Sequence, residues 1–235
     1  MSGVRIDVGA VWTSAHQFVV NYGGAGDVTL APRTLSTPKA LHATDIKQHI
    51  HERLQTVNAA LSCTESRGVF TIASSGSTFN INFGATSLKT ILGCAASASG
   101  VSSHATTGIS PNVFLGSRPA MITSGTRWHT RRTSIHRGRG RSIKVLKERF
   151  WRVEMRVASG EKTQFDLVAR RILQGQPFSI FQDTDDMSAA WGYTAPTKNL
   201  KGLMLDASQA VFAYEPIGSP YHGEYAVAFD CVEYS

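Results

Sequence analysis

Three groups of side chains in this 235-residue sequence are of types that can do chemistry. Asp183, Asp185 and Asp186 cluster in a short acidic loop. Several carboxylate oxygens are what a hard cation such as Ca²⁺ takes, but the loop lacks the glycine and distal glutamate of an EF-hand. A solvated turn is the expectation, with no bound metal. His42, His49 and His51 fall near or on one helical segment. The last two are two residues apart, so on a helix they diverge and make poor joint ligands; all three read as surface histidines. The third group is a run of arginines and lysines from Arg127 to Arg149. No Gly-x-Ser-x-Gly elbow, His-Glu-x-x-His pair or phosphate-binding loop occurs. Glu154 with Glu161, or Glu224 with Asp230, has no pocket to make it an acid–base pair. The expectation is a non-enzymatic chain without a cofactor.

The basic run is the polar feature that asks for a partner. It holds nine Lys/Arg against the single acid Glu148, a local net of +8 in a chain whose total is +7. The rest of the chain is therefore close to neutral, and one segment rather than the whole surface attracts anions. Gly138 and Gly140 interrupt the run, which argues against a continuous helix. It reads as a strand from Arg127 to Ile135, a Gly-Arg hairpin tip, and a second strand running into Phe150–Val157. Arg131, Arg132, Arg137, Arg139 and Arg141 are the candidate contact residues. Three readings apply to them. Their guanidinium groups can pair two-pronged with carboxylates of a neighbouring subunit, with Asp183, Asp185 and Asp186 as the candidate acceptors. They can contact phosphates of a nucleic acid, with Trp128 or His129 stacking on bases. Or the hairpin is solvated and contacts nothing.

The elements that hold these groups can be read from periodicity. Trp151, Val153, Met155 and Val157 alternate with Arg152, Glu154 and Arg156, the pattern of a strand with one buried and one wet face. A helix follows with Thr163 as its N-cap and Phe165, Val168, Ile172 and Leu173 on one face. Gly175 closes it, Pro177 blocks continuation, and Phe178–Phe181 returns as a strand. Strands are also expected at 202–206, 209–214 and 224–234, the last with Tyr225, Val227, Phe229 and Cys231 on one face.

The first part of the chain is patterned separately. Two strands flank a glycine-rich turn at 23–27, and a helix from Thr44 to Leu61 carries Ile46, Ile50, Leu54, Val57 and Leu61 as one stripe. Strands at 69–73 and 78–83 and a brief helix from Ser87 to Leu92 complete it. Residues 94–118 are dominated by Ala, Ser, Thr and Gly, which bury little, so they read as a linker or as an arm lying on a neighbour. The expected fold class is α+β. A small α+β module (1–93) precedes that linker, and a mostly antiparallel β-sandwich or open barrel with one packed helix (119–235) follows it. No run of about 18 apolar residues is present for a membrane span, and no signal peptide is seen. Cys63, Cys94 and Cys231 lie far apart and read as buried free thiols of a protein folded inside the cell.

Residues 120–235 also carry a resemblance. The Trp-bearing strand Trp151–Val157, the helix near Phe165–Leu173, Gly175, Pro177, Phe178, Phe181, the loop Asp183–Asp186 and the closing run Tyr225–Tyr234 resemble tail-tip and baseplate proteins of tailed bacteriophages, most of all the distal tail protein type. Distal tail proteins usually begin with their sandwich, whereas a module of about a hundred residues comes first here. The resemblance implies a structural virion protein that folds in the host cytoplasm and forms a closed, sixfold ring at the tail tip with itself. It further implies that the ring joins the tail tube to the hub proteins. A head-to-tail connector or neck protein is the alternative of the same kind. A DNA-binding protein using 127–149 is the alternative of another kind.

Overall fold

The computed structural model describes residues 3–12, 16–31, 39–84, 87–106, 108–134, 141–182, 200–206, 213–216 and 223–233. Strands β1 (Val4–Val8) and β2 (Ala10–Trp12) open the chain, followed by β3 (Phe18–Tyr22) and β4 (Asp27–Leu30) around the expected glycine turn. Then β5 (Lys39–Leu41) leads into helix α1 (Ala43–Val57), whose Ile46, Ile50 and Leu54 are buried. The helix stops short of its apparent stripe. Asn58 takes an extended conformation and its side chain accepts the Ala60 N–H at 2.8 Å, so Leu61 begins strand β6 (Leu61–Ser66) instead. Strands β7 (Val69–Ser74) and β8 (Phe79–Asn82) and helix α2 (Ser87–Leu92) follow as the alternation predicts.

The stretch 94–118 is not a linker. It carries β9 (Ser97–Val101), β10 (Ser103–Ala105) and β11 (Val113–Gly116), which add to β8, β7 and β1 respectively. Small side chains bury little area, but every residue except proline still offers the N–H and C=O that a ladder needs.

The second half supplies β12 (Met121–Ser134), β13 (Arg141–Ala158), a 3₁₀ turn at Ser159–Glu161 and helix α3 (Lys162–Leu173). Strands β14 (Phe178–Gln182), β15 (Leu200–Leu205), β16 (Ala213–Pro216) and β17 (Glu224–Glu233) complete it. Because the 3₁₀ turn runs straight into α3, the helix is entered at Glu161 and Thr163 lies inside its first turn rather than capping it. The Glu161 carboxylate does not cap α3 but accepts the N–H groups of Ser117 at 2.8 Å and Ala158 at 3.2 Å, bracing the 3₁₀ turn. Ala169, not Leu173, completes the buried face beside Phe165, Val168 and Ile172; Leu173 is exposed. Gly175 ends the helix at φ +81°, with its N–H on Ile172 O at 3.0 Å and the Gln176 N–H on Arg171 O at 3.1 Å. That is the paired bonding of a left-handed glycine cap.

Eight strands form one antiparallel sheet in the order β11-β1-β14-β15-β17-β13-β12, with β16 also paired to β17. Three smaller sheets, β4-β3-β8-β9, β10-β7-β6 and β2-β5, surround α1 and α2. The fold is thus α+β and mostly antiparallel, and the described strands close no barrel. Two hydrophobic cores result. One collects α1, α2 and the small sheets; the other lies between α3 and the large sheet. In the second, Trp151, Val153, Met155 and Val157 are all buried, Phe114 meets Phe165 edge-on at 5.0 Å, and Phe178 meets Phe229 at 6.0 Å. The boundary between cores does not coincide with the expected division at 94–118. Strand β1 lies between β11 and β14, and its Val4, Ile6 and Val8 belong to the C-terminal core. No described helix is long and apolar enough to cross a membrane.

Candidate functional site: a basic ribbon and its root

The basic run belongs to the same two strands: β12 and β13 pair without a break from Met121↔Glu154 to Ser134↔Arg141. On its other edge β13 pairs with β17 only from Phe150 to Ala158. Among the described residues, Arg141–Arg149 therefore pair with β12 alone and extend the hairpin beyond the β17 ladder, by about 30 Å at roughly 3.4 Å per residue. Arg131 pairs with Lys144, Arg132 with Ile143, and Arg141 with Ser134. The hairpin expected from the sequence is present. Arg137 and Arg139, at its tip, lie outside the described residues, as do Asp183, Asp185 and Asp186. Near the ribbon's base Trp128 is 65% exposed, with Lys147 Nζ 5.6 Å from its ring centre.

The ribbon is fastened by a cluster that sequence reasoning missed. Gly125 leaves room for the Phe150 ring, which lies where a β-carbon would be, at 2.4 Å. Arg127 lies 4.3 Å over that ring and forks to two carboxylates, Asp206 just past the end of β15 and Asp230 on β17, the latter at 2.8 Å. The hydrogen bond that Arg127 donates to Asp206, with the charges of Asp206 and Asp230, pushes the Arg127 pKa up. Both carboxylates are largely buried and need this cation, since a buried charge is costly unless paired. Arg152 adds a bond to Glu154 at 2.8 Å and lies 3.9 Å from Asp230. The sequence did hold a signal: Asp230 interrupts the apolar run Ala-Val-Ala-Phe-Asp-Cys-Val, and a carboxylate in such a strand calls for a cation.

Next to the ribbon's root is a cleft of about 720 Å³ lined by Arg118, Pro119, Met121, Arg152, Glu154 and Arg156. Its arginines are matched by acids of the same sheet, Arg118 and Arg156 by Glu224 and Arg152 by Glu154.

A second polar cluster lies where the two halves meet. Asp7 is fully buried, pairs with Arg5 at 2.9 Å and accepts the Ala43 N–H at the start of α1 at 3.1 Å. Arg5 also reaches Glu65 of β6 at 2.9 Å. Burial pushes the Asp7 carboxyl up, against the pull of Arg5, His42 and the Ala43 N–H. His42 is no surface histidine. Its Nδ1 is 3.0 Å from the Asp7 carbonyl oxygen and its Nε2 3.4 Å from Ser179 Oγ. A carbonyl only accepts, so in this contact His42 Nδ1 is the donor to Asp7 O. Serine, histidine and aspartate thus stand in line, but the histidine meets the aspartate's backbone and Ser179 is buried. The arrangement joins β1, β14 and α1 rather than presenting a nucleophile. His51 is likewise structural: its Nδ1 accepts the Cys63 N–H at 3.2 Å. Among the described residues no three His, Cys, Asp or Glu side chains gather as a metal site. The chain matches no family model, and no curated protein or solved structure matches it either.

Proposed function

We propose that this chain is a structural subunit of a tailed-phage virion, at the tail tip or baseplate, that assembles into a closed ring. The ribbon of one copy reaches the next copy or the tail tube. The observation that supports this reading is the length Arg141–Arg149, which among the described residues pairs only with β12, within a hairpin whose run Arg127–Arg149 holds most of the chain's excess charge. An exposed charge adds little to a lone subunit, since surface pairs are worth ~0–1 kcal/mol, so an arm of this kind gains its value from a partner. Repeated identical contacts that close by rotation give a ring. The resemblance of residues 120–235 to distal tail proteins supplies the place in the virion and the expectation of sixfold symmetry.

The test is Arg137, Arg139 and Arg141 changed together to Ser in the full chain. The melting temperature should stay within about 1 °C, while rings seen by negative stain and the mass by light scattering should be lost. Unchanged assembly would overturn the reading. A second reading, DNA binding through the same ribbon, draws on exposed Trp128 beside Lys147, an aromatic face with a cation next to it. Under that reading the triple variant loses affinity for random duplex, wild-type affinity falls steeply with salt, and assembly is unaffected.

A further inference from the structure

We infer that a cavity at the seam between the two cores binds a small organic anion, a carboxylate or phosphate head on a short apolar body. The site is separate from the ribbon and independent of the ring reading. It has a volume of about 260 Å³ and lies at the ends of three neighbouring strands of the large sheet. Val4 and Arg5 of β1, Leu115 of β11 and Phe181 of β14 line it, with Thr44 of α1 and Arg67 of the β6–β7 turn. Val4 is buried, Leu115 and Phe181 are half-buried, and Thr44 and Arg67 are exposed, which grades the cavity from an apolar floor to a polar mouth. Small molecules bind in hollows of this make-up, mostly apolar with a few placed polar groups, and often where two cores meet. The volume falls below the roughly 300–1,000 Å³ of drug-sized ligands, so the occupant is smaller than those.

The sign of the ligand follows from the lining. Arg5 and Arg67 are its charged residues and no acid lines it, in contrast with the cleft at the ribbon's root, where Glu154 does. Asp7 and Glu65 hold Arg5 at 2.9 Å each, and its guanidinium carbon lies 5.6 Å from the Phe181 ring centre, so Arg5 is in place before a ligand arrives. Arg67 adds an independent observation. Ser66 pairs with Val69, so Arg67 and Gly68 are the two central residues of a hairpin, at φ +51° and +82°. Positive φ at both positions makes a type I′ turn, which favours Asn, Asp or Gly at the first. Among the described residues Arg67 alone, glycines aside, takes a positive φ. Strained backbone of this kind gathers at ligand clamps. Here the strained residue lines the cavity, and its guanidinium suits a carboxylate or phosphate two-pronged.

The experiment is a thermal-shift titration of the full chain with benzoate and with phenyl phosphate, and with benzamide as the neutral counterpart. At about ten times its Kd an anion that binds only the folded state should raise the melting temperature by about 3–5 °C, and benzamide should leave it unchanged. Arg67→Asn suits the turn better and removes the charge. It should melt no lower than wild type in buffer, yet lose the shift with either anion. Arg67→Lys should keep part of the shift. The variant with Arg137, Arg139 and Arg141 changed to Ser should keep all of it, and loss there would place the anion on the ribbon instead. A flat melting temperature with both anions, an equal response to benzamide, an undiminished shift in Arg67→Asn, or a lower melting temperature of that variant in buffer would each overturn the inference.

Discussion

Val113 and Phe114 are consecutive residues of β11, and their side chains belong to different hydrophobic cores. Successive strand side chains point to opposite faces, so this short strand is a wall with a core on either side. Strand β1 repeats the arrangement with different chemistry: Val4, Ile6 and Val8 enter the C-terminal core, while Arg5 and Asp7 face Glu65 and the start of α1.

The halves should therefore not separate at the small-residue stretch. A fragment starting at Pro119 lacks β1 and β11, which form one end of the large sheet. It should lose cooperative unfolding in urea, followed by tryptophan fluorescence. A sharp transition with an undiminished denaturant slope would show that the C-terminal core closes without them.

Arg127→Ala should destabilise the protein by about 3 kcal/mol, because it strands the buried carboxylates of Asp206 and Asp230. Arg127→Lys should recover part of this, since an ammonium cannot fork to two acceptors as a guanidinium does. Chemical denaturation measures both, and a loss below about 0.5 kcal/mol for the alanine variant would mean that water or another cation serves the two acids.

The Asp7 carboxyl is raised from its ordinary 3.8 chiefly by burial. The folded state thus holds the proton more tightly than the unfolded state. The stability this lends is full below pH 3.8 and is lost as the pH rises through the folded pKa. Asp7→Asn should flatten that part of the profile, so that the melting temperature of wild type minus variant falls as pH rises from 3 to 7. A difference that grows instead would show that the ion pair with Arg5 outweighs burial.

Cys63, Cys94 and Cys231 are free and buried, with thiols pushed up by burial to about 12, 11 and 12. Since the thiolate is the reactive form, a thiol reagent at pH 8 should label native protein slowly and unfolded protein at all three positions. Fast stoichiometric labelling of the native chain would contradict the packing around them.

What the sequence made legible was local. The alternation Trp151–Val157, the spacing Phe165–Val168–Ile172 with Gly175 after it, and the interrupted arginine run each lie within a few residues, and each appears as a strand, a capped helix and a hairpin. What it hid was long-range. Arg127 finds its acids 79 and 103 residues away, and nothing in local spacing couples them. His42 looked solvent-facing because its partners, Asp7 and Ser179, arrive from two strands that only the large sheet brings together. The strands β9 and β10 were hidden for another reason: their pairing relies on backbone groups, which every sequence has.

Strand β13 joins the arm to the core by one uninterrupted backbone, and this gives the arm a direction-dependent strength. Ladder hydrogen bonds lie across the strands, so a pull along the ribbon loads the run from Phe150↔Val232 to Ala158↔Glu224 all at once, in shear. Among the described residues a sideways force meets no such ladder with β17 beyond Arg149 and is resisted at the base, where Arg127 ties Asp206, just past β15, and Asp230 of β17 to the hairpin. The ribbon thus behaves as a strut: stiff in tension, compliant in bending, and hinged where its salt bridges lie.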